Sequence, residues 1–317
     1  MKVIRAWENY SARVKAVDSL THALMGASLA VLGQKRTAES RGMLTVTILA
    51  SELPDLDLLP GLLNPQAQLV YHRAYSHSWT GLALAAGLLT LASGVLAPHL
   101  PRKRVLAWAA LAILLHLAFD TLTTYGTGLF IPFAARPLAL DVLFGVDIPL
   151  LILLGGGCSL YFWRGERRVL SAAVVLALLY TAGRWGVHWR LTALAGGQLP
   201  GTSFSVLPGP VLRWTVVADK GDAYAVGSID PISGKIQFQT AYPKNLKHPL
   251  VAAIRRSPII ESYLQVARYP WAQISREPDG WRVKFSDLRL WPFDGFNAVA
   301  YLDENANMRS VKIGPKK

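Results

Sequence analysis

Glu52, Asp55 and Asp57 place three carboxylates within six residues of an otherwise apolar stretch running from Gly42 to Leu63. An uncompensated charge in a bilayer segment costs at least ~2.5 to 3.5 kcal/mol, so three together demand a strong cationic partner. A divalent cation held by oxygen ligands meets that demand. The stretch therefore constrains the chain to fold around a polar, ion-holding centre inside an apolar helical body.

The rest of the chain agrees with an apolar body. Hydrophobic residues make up 52% and charged residues 17% of the 317 positions, more apolar than a soluble domain ordinarily is. The single cysteine, Cys158, excludes an internal disulfide framework and a cysteine-based zinc cluster. Metal chemistry is left to histidine and carboxylate. The formal charge of +13 comes from Lys and Arg clusters lying between apolar runs, as flanks facing anionic lipid do. Such runs are solvated flanks in the first instance, so no nucleic-acid partner is expected.

By length and apolarity, five segments read as membrane helices: about Gly42 to Leu59, Trp79 to Ala97, Val105 to Thr123, Leu140 to Trp163 and Val169 to Trp189. Ser19 to Leu32 is short for a crossing and reads as re-entrant or tilted. Ahead of it, Ile4, Trp7, Tyr10 and Val14 among Lys2, Arg5, Arg13 and Lys15 predict a basic amphipathic helix on the membrane surface. No small-residue cleavage site follows the first apolar run, so no cleavable signal peptide is expected. If the five long segments cross alternately, the basic loops Gln34 to Arg41, Pro101 to Arg104 and Arg164 to Arg168 share one side. The positive-inside rule makes that side cytoplasmic. The carboxylates, the Tyr71 to Ser78 loop and the carboxy-terminal region then face outward from an inner membrane.

Beyond Gly201 the composition turns to alternating runs such as Leu212 to Ala218, Tyr224 to Ile229, Lys235 to Thr240, Trp281 to Phe285 and Ala298 to Leu302. These predict strands. Turns fall at Asp230 to Gly234, Pro278-Asp279-Gly280 and Asp303 to Asn307, and Leu250 to Val266 reads as one helix. The expected fold is an all-α polytopic membrane domain followed by a soluble α+β domain. Residues 1–17 form the interfacial segment, 18–200 the helical membrane domain with the metal site, and 201–317 the soluble domain. Trp281, Trp291 and Phe293 are read as core of the latter.

The candidate ligands are Asp18 and His22, then Asp55 and Asp57, then His72 and His77, then His116 and Asp120. Four of the seven histidines of the chain are among them. His116 and Asp120 are spaced i,i+4, so a helix projects both from one face; Asp18 and His22 repeat that spacing in reverse order. Pro54 and Pro60 distort or end the helix near Asp57, and broken backbone suits a ligand cavity. His72 and His77 serve one ion only if their segment is a loop or a helix starts between them. Ser76 or Ser78 is placed to cap the helix at Trp79. Glu52 is placed as general base or as partner to a ligand histidine. Arg73 is placed to steady a phosphate oxygen through its planar fork, or else to sit at the membrane interface. Asp141 is placed to cap its helix and Asp147 precedes Pro149, so both read equally well as structural residues; His99 and His248 read as non-ligands, and His188 as an interfacial anchor.

Asp18-Ser-Leu-Thr-His22, Pro54-Asp-Leu-Asp57, His72-Arg-Ala-Tyr-Ser-His-Ser78, and His116-Leu-Ala-Phe-Asp120 followed by Thr123-Thr-Tyr-Gly126 resemble the motifs of the YdjM-type family of membrane-bound, metal-dependent hydrolases. That family is thought to be remotely similar to zinc-dependent phospholipase C and P1-type nucleases. The resemblance implies a hydrolase with Asp18, His22, Asp55, Asp57, His72, His77, His116 and Asp120 as ligands, and names no substrate. Here the amino-terminal motif lies inward of the start of the chain. Mixed His and Asp ligation suits zinc first and manganese second, as one or two ions. Location and basic flanks favour a membrane lipid or lipid-linked phosphoester as substrate. A divalent-cation transporter, or an adaptor with a structural metal, are the alternatives. The oligomeric state is not readable.

Overall fold

A computed structural model describes residues 19–35, 39–58, 71–134, 137–292 and 297–313. The expected interfacial helix, Asp18 and Phe293 lie outside those residues. Packing divides the chain into two compact units at Gly186/Val187, and each is described by itself.

The first unit is helical. It comprises α1 (Ser19–Gly33), α2 (Ser40–Glu52), α3 (Trp79–Leu96), α4 (Arg102–Thr121), α5 (Ile148–Arg164) and the start of α6 (Arg167–Gln198). α4 is the hub. Its Val105, Ala109, Ala112, Ile113 and Leu117 pack against Met43, Val46 and Ala50 of α2 and Ala86 of α3. Ala27 of α1 meets Cys158 of α5 and Leu170 of α6 in a second cluster. α1 approaches α2 closely because position 26 is glycine: a Cβ there would stand 2.7 Å from the Thr47 carbonyl oxygen and also against Ser51 Oγ. The opposite face of α3 exposes Leu84, Leu88, Leu91 and Val95, an apolar stripe that water would penalise and lipid would not.

By length and composition, two of the described helices, Arg102–Thr121 and Arg167–Gln198, are long and apolar enough to cross a membrane, while α1, α3 and α5 are shorter apolar helices. Two boundaries differ from expectation for visible reasons. The first segment stops being α-helical at Glu52, and a 3-10 turn, Pro54–Leu58, follows, because Pro54 supplies no N–H to continue the ladder. The segment expected from Leu140 starts as a helix only at Ile148, where the Asp147 carboxylate accepts the Leu150 N–H at 3.3 Å. Residues 138–143 instead turn back along the end of α4, donating Leu140 N–H to Thr121 O and Val142 N–H to Leu122 O, both at 2.8 Å. Those bonds satisfy carbonyls that a helix end leaves open.

The second unit begins within α6 and holds two antiparallel four-stranded sheets in simple meander order. β1 (Phe204–Pro208), β2 (Trp214–Asp219), β3 (Ala223–Ile229) and β4 (Ile236–Pro243) form one sheet; β5 (Pro270–Glu277), β6 (Gly280–Asp287), β7 (Asn297–Leu302) and β8 (Met308–Ile313) form the other. Leu191 and Ala195 of α6, with Leu199 just beyond it, join Val206, Trp214, Val216 and Ile229 in the core of the first sheet. The second sheet buries Val283, Phe285 and Ala300 under Val251, Ile254, Ile260 and Tyr263. The expected single helix over Leu250 to Val266 is two, α7 (Pro249–Ile254) and α8 (Pro258–Val266). Pro258 breaks it and takes the first-turn position of α8, where no N–H is missed. Three strands, β1, β5 and β8, were not among the expected runs.

Candidate metal centre

Three helical elements and one loop deliver the polar side chains. The 3-10 turn after α2 carries Asp55 and Asp57, the 71–78 loop carries His72 and His77, α4 carries His116 and Asp120, and α1 carries His22. The loop is pinned at both ends. Ser78 caps α3 by accepting the Gly81 N–H at 3.0 Å, and Arg73 O accepts the Gly128 N–H at 2.8 Å. Gly128 permits that approach, since a Cβ would fall 2.9 Å from the Arg73 carbonyl oxygen. Arg73 itself is left-handed, with φ 59°, a conformation unfavourable for any residue with a Cβ.

His77, His116, Asp55 and Asp120 converge. His77 Nε2 lies 3.1 Å from His116 Nε2, 3.2 Å from Asp120 Oδ2 and 3.4 Å from Asp55 Oδ1. His116 Nε2 lies 3.4 Å from Asp120 Oδ2 and 3.8 Å from Asp55 Oδ1. Four ligands held tetrahedrally at bonds of ~2.0–2.1 Å stand roughly 3.3–3.4 Å apart. The observed separations bracket that edge, so the donor set fits one tetrahedral ion. His77, His116 and Asp120 have fully buried side chains and Asp55 is 8% exposed.

The outward ring nitrogens are held in place. His116 Nδ1 is 2.7 Å from the Ser51 carbonyl oxygen, which fixes Nδ1 as the protonated nitrogen and frees Nε2 for the centre. His77 Nδ1 is 2.9 Å from Ser76 Oγ and 3.4 Å from Asp57 Oδ2. Burial alone would lower the His77 imidazole, but hydrogen bonds to Asp120, Asp55 and Asp57 outweigh it and push the group up to about 10. The three carboxylates thus favour positive charge at this position.

His22 stacks on His116 with ring centroids 3.7 Å apart, and its Nε2 is 3.4 Å from Asp120 Oδ1. Arg73 contacts the same carboxylate through Nη2 at 3.0 Å and donates Nη1–H to Thr123 Oγ1 at 3.0 Å. Its guanidinium also faces the Tyr125 ring at 5.3 Å. Asp57 Oδ1 meets His72 Nδ1 at 2.8 Å; its Oδ2 accepts the Arg73 backbone N–H at 3.1 Å and the Ser76 hydroxyl. Asp55, Asp57 and His72 form a second set of convergent donors. Glu52 ends α2 beside Ser51 and belongs to neither set.

Ser76 and the Ser51 carbonyl are the contributors that sequence reading missed as site residues. A serine preceding a candidate ligand histidine was the available signal, whereas a backbone carbonyl leaves none. Of the remaining polar residues, Asp147 caps α5 and accepts the Tyr180 hydroxyl at 3.1 Å, His248 caps α7, and the His188 ring lies 5.7 Å from the Trp214 ring.

The model of the YdjM inner membrane protein family matches residues 17–190, which take in all of these site residues. "Uncharacterized protein YfhP" of Bacillus subtilis (strain 168) is 20% identical, with 94% of this chain and 95% of that protein aligned. No solved structure matches.

Proposed function

This chain belongs to the YdjM inner membrane protein family, and on that premise we propose that it is an integral-membrane, metal-dependent hydrolase cleaving a phosphoester of a lipid or lipid-linked substrate. The observation that carries the reading is the set of separations from the His77 and His116 Nε2 atoms to each other and to Asp55 and Asp120, five distances between 3.1 and 3.8 Å. Neutral imidazole with carboxylate, at tetrahedral edges, suits zinc ahead of manganese. Such an ion would supply a Lewis acid, and by taking a water beyond its four protein donors would lower the pKa of that water toward ~7.

The protein's own part is positioning. Ser51 O and Ser76 hold the two imidazoles in register, and Arg73 and His22 hold Asp120. Glu52, next to Ser51, is the carboxylate assigned to proton transfer, and the Arg73 charge favours an anionic substrate. An amphiphilic substrate follows from membrane residence and basic flanks. The five apolar segments are assigned to a multi-pass domain with residues 201–317 as a separate soluble domain on the outer side. A cation transporter is disfavoured by the capped, hydrogen-bonded ligands, since a transport path needs ligands that release.

The test is elemental analysis of detergent-purified protein after a mild chelator wash, beside His116→Ala. Tightly bound zinc or manganese in wild type, lost in the variant, and phosphodiester hydrolysis lost with it, is the expected result. Metal lost with hydrolysis retained would overturn the enzyme reading. Wild type without metal would overturn the centre.

A further inference from the structure

The first sheet of the second unit has one apolar end and one polar end. Pairing of Pro208 with Trp214 and of Ile229 with Ile236 puts the β1–β2 and β3–β4 connections at the same end, whereas pairing of Asp219 with Tyr224 puts the β2–β3 hairpin at the other. At the first end Val211 and Leu212 are exposed and Ile232 is 81% exposed, while the hairpin at the other end is Lys220-Gly221-Asp222. We infer that the apolar end is a membrane anchor, inserted to the boundary between headgroups and acyl chains of an anionic bilayer, the same bilayer that α6 enters. The inference rests on α6 crossing a membrane and is independent of the metal centre.

Neither connection needs those side chains in order to form. In the β3–β4 turn the Asp230 carboxylate accepts the backbone N–H groups of Ile232 at 3.1 Å and Ser233 at 2.6 Å, so Asp230 builds the turn and Ile232 is carried outward on it. In the β1–β2 connection the Gly209 N–H reaches Arg213 O at 2.8 Å, and Val211 stands in left-handed backbone with φ 58°. Glycine takes that conformation without strain, and a β-branched residue does not. Leu212 and Ile232 lie outside the core of this sheet. Two strand spacings, about 10 Å, separate the two tips. Apolar residues exposed singly are ordinary, but three on adjoining tips form a patch that water penalises and a lipid interface does not.

The course of α6 shows what covers the patch. The helix is 32 residues long, and a hydrocarbon core takes roughly 20 of them, so about a dozen project beyond it. Leu191 and Ala195, which pack on the sheet, belong to that projecting stretch. Arg190 donates Nη1–H to Pro231 O at 2.8 Å and Nη2–H to Ile232 O at 2.6 Å. Two turns further on, Gln198 donates to Gly234 O at 2.7 Å and accepts the Ile236 N–H at 3.2 Å. The helix thus meets the tip of the turn first and its base afterwards, which sets the tip on the side from which the helix leaves the bilayer. Trp189, 73% exposed, immediately precedes Arg190, and the exposed cations Arg213 and Lys235 close the two connections. Indole and basic groups together are the chemistry of the headgroup layer of an anionic membrane.

The test uses four versions of the full chain, Leu178→Cys, Leu212→Cys, Ile232→Cys and Asp222→Cys, each labelled with an environment-sensitive fluorophore. Cys158 is buried, which leaves the label to the introduced thiol. Quenching is read in vesicles of equal parts phosphatidylglycerol and phosphatidylcholine that contain lipid with a nitroxide on its acyl chain. Leu178, exposed on α6, reports the span, and Asp222 reports water. Quenching at positions 178, 212 and 232, and none at 222, is the expected result. Adding Ile232→Glu to the Leu212→Cys protein is expected to lower the docked-to-undocked ratio about tenfold, the equivalent of one aliphatic side chain returned to water. An unchanged quenched fraction in that variant overturns the apolar tip as the anchor. Quenching at 178 alone overturns the anchor and leaves the span standing, whereas no quenching at 178 defeats both. Equal quenching at 222 overturns insertion by one end. Labels at 212 and 232 that are shielded from aqueous iodide yet unquenched by the lipid overturn lipid as the occupant in favour of a protein partner.

Discussion

Replacing Arg73 by Met removes the permanent cation nearest Asp120 while keeping a Cβ at the same left-handed position, so the backbone strain is unchanged. Nη2 stands 3.0 Å from Asp120 Oδ1, with the two side chains 7% and 0% exposed. Their attraction at that distance is roughly 5–6 kcal/mol at an effective dielectric of ~20. Removing one member of a buried pair costs ~3–5 kcal/mol, because the other is left charged and uncompensated. In metal-free protein the expected loss of stability is therefore about 3–5 kcal/mol. With metal bound, the ion neutralises Asp120, and the loss falls to that of the hydrogen bond to Thr123, about 1 kcal/mol. The assay is denaturant unfolding followed by tryptophan fluorescence in one detergent, with chelator and with saturating zinc. Equal losses under both conditions, or less than ~1 kcal/mol without metal, would refute the reasoning that Arg73 and the ion share the compensation of Asp120.

Three further outcomes are expected. The His77 imidazole is raised in the folded state to about 10 from an ordinary 6.5, so its stabilisation of metal-free protein is complete below ~6.5 and is lost as pH rises through about 10. Unfolding of metal-free protein at pH 6, 8 and 10 should show that decline, and a flat profile would count against a protonated His77. Gly26→Val places a branched side chain where a Cβ already stands 2.7 Å from the Thr47 carbonyl oxygen. Separation of α1 from α2 should cost at least ~1–3 kcal/mol and weaken metal retention through displaced His22, readable by unfolding and elemental analysis. Phe285→Ala empties a fully buried place under α8 and should destabilise the carboxy-terminal unit by ~3–5 kcal/mol. Metal content should be unaltered in that variant, and its loss would mean the two units do not fold separately.

How much of the centre is legible in sequence depends on whether the contact is local. The i,i+4 spacing of His116 and Asp120 predicts their shared face, and the structure puts both in one set. Pro54 predicts broken backbone beside Asp55, and a 3-10 turn stands there. The role of the Ser51 carbonyl was not legible, because a backbone oxygen accepting from His116 across 65 positions has no local signature. The division of Leu250 to Val266 was within reach, since Pro258 was visible, and apolar periodicity outweighed it.

Apolar run length, buried-charge cost and residue chemistry belong to the sequence by itself. They determine an apolar helical region, a strand-rich region after it, and a site made of histidine and aspartate. Which histidines meet which carboxylates was decided only by the tertiary structure, because α1, α2, the 71–78 loop and α4 come together through packing on α4 and through glycine contacts at Gly26 and Gly128. The same packing gives Arg73 to Asp120 and makes Asp55 common to two donor sets. The physical reason is that buried polar groups find one another across long sequence separations, where burial penalises every unpaired charge and spacing along the chain carries no record of the partner.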